Sequence, residues 1–84
     1  MTQKEKIETA LKAKGWTVKD IFFDPVSYAG DGREGGWYVE IDTDNCSLEV
    51  AKQMDKLDAL CHIEGYNAKD VLSTIEKMPK FETA

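Results

Sequence analysis

The chain has 84 residues and a formal net charge of −5, with 42% hydrophobic and 32% charged residues. That length supports one small core and not two, and the composition is that of a folded domain, not a disordered segment. No apolar run approaches a bilayer span, and a net acidic chain is a poor general match for phosphate backbones.

The charge is unevenly distributed. Residues 1–19 carry five Lys against Glu5 and Glu8, for +3; residues 20–49 carry eight acids against Arg33, for −7; residues 50–84 are near balance at −1. Thr2-Gln-Lys-Glu5 is a capping box opening a helix at about 3–14, with Ile7, Ala10 and Leu11 on its apolar stripe. Gly15 fits the left-handed residue after such a helix, which would let Trp16 pack back on Leu11. Lys12 and Lys14 suit its carbonyl end.

Val18, Ile21, Phe22 and Phe23 are strand formers, and Asp24-Pro25 suits an irregular edge strand. Thr17-Val-Lys-Asp20 also has the form of a capping box, and Gly15–Ile21 echoes Gly65–Val71. The aromatic pair followed by Asp-Pro favours a strand over 17–23. Ala29 to Gly36 holds four of the six glycines and reads as a loop. Gly35 to Asp44 then gives the cleanest strand pattern in the chain: Trp37, Val39 and Ile41 alternate with Tyr38, Glu40 and Asp42. The two runs predict an antiparallel hairpin over about 17–42.

Asp42-Thr-Asp-Asn45 offers several N-caps for a second helix over about 47–64, with Val50, Met54, Leu57 and Cys61 on its stripe. Gly65-Tyr66 would close it as Gly15-Trp16 closes the first. Asn67 caps a third helix over about 68–78, with Asp70 at N3 and Val71, Leu72, Ile75 and Met78 on its face; Pro79 stops it. Residues 79–84 form a tail, anchored only if Phe81 docks. The fold expected is α+β, a single domain of order α-β-β-α-α with the hairpin packed against the helices. Two strands alone are marginal, so a third short strand, in the loop or across a dimer, would complete the sheet.

Residues that could carry chemistry do not assemble into a site. Placed on the second helix, His62 would point to solvent; Cys61 would be a small core residue; Cys46 lacks a neighbouring base. An EF-hand reading of Asp42, Asp44 and Glu49 fails because Cys46 and Ser47 occupy the fifth-ligand and glycine positions. The glycine-rich loop lacks a Lys-Ser/Thr pair for phosphate. No catalytic residue, metal or cofactor is therefore expected.

What remains is the acidic hairpin: Tyr38, Glu40 and Asp42 on one strand face, Asp44 after them, with Asp24, Asp31 and Glu34 on adjoining segments. Such a face is ordinarily a solvated one with gatekeeper charges. Its functional reading is a non-enzymatic protein-binding domain of bacterial or phage origin that docks on a basic protein surface. That surface could be one that normally holds DNA or RNA, which would make the protein an inhibitor by charge mimicry. Small acidic inhibitors and immunity proteins share this size and charge. Direct nucleic-acid or membrane binding is not expected. The alternative is a structural or assembly subunit pairing through the hairpin edge, so monomer and homodimer both remain open. The paucity of cysteine and the charged first turn suggest the cytoplasm.

Overall fold

A computed structural model describes residues 2–26, 34–60 and 62–84. The order is α1 (Gln3–Ala13), β1 (Val18–Val26), β2 (Glu34–Ile41), α2 (Leu48–Lys56), β3 (His62–Gly65) and α3 (Ala68–Lys77). The strands form one antiparallel sheet in the order β1-β2-β3, so the α+β class and the hairpin stand. The third strand exists and lies between the second and third helices. Residues 27–33, including Asp31, and Cys61 lie outside the described residues.

The first helix follows its local signals. The Thr2 hydroxyl accepts from the Glu5 amide at 3.1 Å, and the Glu5 carboxylate accepts from the Thr2 amide at 3.3 Å. Glu8 accepts from Lys12 at 2.8 Å one turn on, and that contact holds its carboxyl below the ordinary range. At the other end Gly15 takes φ +85°. The Gly15 and Trp16 amides then donate to the carbonyls of Lys12 and Leu11 at 2.9 and 3.1 Å, a complete Schellman closure.

The second helix is shorter than its apolar stripe suggests. It is capped by Ser47, not by the upstream acids, and ends at Lys56 instead of running to 64. Asp58 is the cause. It adopts φ 57°, and the amides of Asp58 and Ala59 donate to the carbonyls of Asp55 and Met54 at 3.0 and 2.9 Å. This is the same closure as at Gly15, with aspartate in the left-handed position. The chain then turns back, and His62-Ile63-Glu64 alternates as a strand, Ile63 inward and its neighbours outward. Gly65 ends β3 and is not a helix closure. Because left-handed backbone strains a residue with a Cβ, Asp58→Gly should raise stability by about 0.5 kcal/mol. A rise in melting temperature of roughly 2–4 °C is the expected readout.

One sheet face is the core. Ile21, Val39, Ile41 and Ile63 are buried there with Ile7 and Leu11 of α1, Val50 and Met54 of α2, and Val71 and Ile75 of α3. None of the three helices is long enough to hold its shape in water alone, so this burial is what fixes them. The echo between Gly15–Ile21 and Gly65–Val71 is local only: Thr17-Val-Lys-Asp20 starts a strand, whereas Asn67 caps α3, accepting from the Asp70 amide at 2.9 Å.

The C-terminal segment is not frayed. Phe81 docks edge-on against Trp16, with centroids 5.2 Å apart, and its amide donates to the Lys14 carbonyl at 2.8 Å. The Lys14 ammonium donates to the carbonyls of Ile75, Glu76 and Met78 at 2.6–2.8 Å, a cation at the negative end of α3. Ser47 donates through its amide to the Glu82 carbonyl, and Cys46 bridges Thr83, so the same strap also reaches the β2–α2 junction.

Candidate functional site

The pairing register decides which side chains share the outward sheet face. Asp20 lies opposite Glu40 and Phe22 opposite Tyr38; on the other side of β2, Glu40 faces His62 and Tyr38 faces Glu64. The odd-numbered positions Ile21, Val39 and Ile63 go inward. The outward rows therefore hold Asp20, Phe22 and Asp24 on β1, Gly36, Tyr38 and Glu40 on β2, and His62 and Glu64 on β3. Every one of these is half-buried or exposed.

Three rings cross this face as a ladder. Phe22 stacks on Tyr38 with centroids 5.1 Å apart and planes 27° off parallel, and Tyr38 stacks on His62 at 5.0 Å and 15°. These distances are close to the roughly 4.7–4.9 Å between neighbouring strands, so each strand contributes one ring to the stack. The imidazole Nε2 lies 3.3 Å from the Glu64 carboxylate, two residues along the same strand face. Both side chains of that pair are open to solvent, so it adds little stability. Carboxylates of Asp20, Asp24, Glu40 and Glu64 surround the ladder, and no Lys or Arg occupies these outward positions. Phe22 remains 43% exposed although it stacks on Tyr38, an unusual degree of exposure for a phenylalanine.

Of the residues expected from the sequence, Tyr38 and Glu40 lie at the centre of this face and Asp24 at its β1 side. Asp42 and Asp44 do not continue the row. The strand ends at Ile41, and the Asp42 carboxylate accepts from the Asp44 amide at 3.0 Å, a local turn. Glu34 pairs with Val26 through its backbone at the distal end of the hairpin, and Asp31 falls outside the described residues. Asp20, Phe22, His62 and Glu64 were not among the expected residues. The alternation of Asp20, Phe22 and Asp24 against Ile21 and Phe23 was the available signal for the first two. The other two depended on recognising β3, and His62 accordingly belongs to a strand and not to the second helix.

Among the described residues, no three His, Cys, Asp or Glu side chains gather as metal ligands. Cys46 is a half-buried free thiol at the β2–α2 junction. No described helix is long and apolar enough to cross a membrane. The aromatic and acidic sheet face is thus the most distinctive surface chemistry of the chain. Compared with protein-family models, curated proteins and solved structures, the chain matches none of them.

Proposed function

We propose that this is a non-enzymatic protein-binding domain whose acidic sheet face docks on a basic protein surface. The observation that carries the reading is the outward face itself, in which Phe22, Tyr38 and His62 form an aromatic ladder among four carboxylates, with no Lys or Arg at its described paired positions. Aromatic rings supply apolar anchors at low entropic cost, while surrounding like charges set orientation and association rate. A surface that ordinarily holds a nucleic acid has the matching field, and occupying it would make this protein an inhibitor of that surface.

Pairing through the hairpin edge is less well supported. β1 is the long edge strand, but its register shifts between Val18 and Asp20, and Pro25 has no N–H to offer a neighbour. Both features blunt an edge. β3, the opposite edge, is only four residues long.

The test is capture of partners from nuclease-treated lysate at two salt concentrations, with wild-type protein and with the Asp20→Lys/Glu40→Lys variant. The wild type should retain a basic protein that is released as salt rises, and the variant should retain none while keeping its circular dichroism spectrum. Equal capture by wild type and variant would refute the reading.

A further inference from the structure

Resting on the docking reading above, we infer that this face recognises arginine in preference to lysine on its partner. Phe22 stands at the end of the ladder on edge strand β1. One ring face is covered by Tyr38 at 5.1 Å; on the other side the sheet ends, and no further ring meets it among the described residues. Asp20 precedes it by two residues on the same face, and Glu40 is paired with Asp20 across the strands. A phenyl ring on the edge strand that is 43% exposed and a carboxylate roughly 6.6–6.8 Å along the strand make a two-part receptor.

The two basic side chains differ in what they gain there. A guanidinium is planar and weakly hydrated, so it can lie against the phenyl face while its N–H groups fork onto a carboxylate. An ammonium is compact and strongly hydrated. It gains the Coulomb attraction of Asp20 and Glu40 but gives up more hydration to touch the ring. The forked carboxylate contact favours arginine in itself, and stacking on the ring adds to that preference. His62 closes the opposite end of the ladder, where its Nε2 is already directed at Glu64, which leaves the Phe22 end as the stacking position.

The experiment titrates an arginine-glycine repeat peptide and a lysine-glycine repeat peptide of equal length into isotope-labelled protein, following backbone amide shifts at low salt. The arginine peptide should bind about two- to fivefold tighter per engaged side chain, with shifts centred on residues 20–22 and 38–40. Phe22→Leu should bring the arginine peptide closer to the affinity of the lysine peptide and leave the latter unchanged. Asp20→Asn/Glu40→Gln should weaken both peptides, each variant keeping the wild-type amide pattern elsewhere. Equal affinities for the two peptides in the wild type would overturn the arginine preference while leaving charge-driven docking intact. An undiminished preference in Phe22→Leu would also overturn it, and binding of neither peptide would overturn both readings.

Discussion

Trp16→Ala is expected to cost about 3–5 kcal/mol, the range for removing a large buried aromatic. Trp16 is 2% exposed, and three separate contacts converge on it. Its amide completes the closure of α1, its ring meets Phe81 edge-on, and its indole N–H donates to the Pro79 carbonyl at 3.1 Å. The alanine variant would leave a cavity between α1 and the C-terminal strap and would orphan that carbonyl. A domain of this length has a total stability of about 4–13 kcal/mol, so the variant should sit near its folding threshold at room temperature. Trp16→Phe keeps most of the apolar area but not the donor, and should lose about 1–2 kcal/mol. Urea titrations with unchanged slope would provide the comparison. A loss below about 1 kcal/mol in the alanine variant would show that Trp16 is not the joint described.

The second large effect is expected at Gly65, and its sign is informative. Glycine ordinarily weakens a strand, so alanine there would be expected to stabilise by about 0.5–1 kcal/mol. The structure reverses that. A Cβ at Gly65 would stand 2.9 Å from Val71 Cγ2, 3.0 Å from Asp70 Cβ and 3.1 Å from the Val71 amide nitrogen, in the first turn of α3. Val71 is fully buried and β-branched, so it has little freedom to move aside, and its backbone is fixed in the helix. Gly65→Ala should therefore lose about 1–3 kcal/mol by overpacking, and Gly65→Val more. Thermal unfolding of the two variants checks this, and a stabilised alanine variant would exclude the close approach of β3 and α3.

Gly15 and Gly65 show where local sequence rules reach and where they stop. Gly15 is where a helix closes with a left-handed residue, and the closure with Trp16 and Leu11 could be anticipated from spacing alone. Gly65, in a matching Gly-aromatic context, is there because a helix passes close by, a tertiary fact with no local mark. Asp58 is the converse case. It performs the closure that glycine usually performs, so the apolar stripe of α2 ran on unbroken through residues that form β3. Missing that strand also hid His62 and Glu64 from the outward face. Tyr38 and Glu40 were legible because period-two alternation needs no partner to be read. The ladder was not, since Phe22, Tyr38 and His62 become neighbours only once three strands are in register. Phe81 was legible as a conditional: the sequence offered an aromatic after Pro79, and the pocket it fills is built by Trp16.

The strap that joins Lys14 and Trp16 to residues 75–81 has a consequence for the order in which this domain can be assembled. Its hydrogen bonds span sixty-one to sixty-seven positions, far more than any loop between neighbouring elements. Loop closure on that scale follows local structure, because its entropy is recovered only when the intervening elements are already compact. On a ribosome, α1 is made before the strands and the other two helices, yet it must wait for the end of α3 before Lys14 and Trp16 find their partners. Until then its apolar face, Ile7 and Leu11, has no α3 to cover it. The fold is thus committed to its final form only once α3 and the strap after it have emerged.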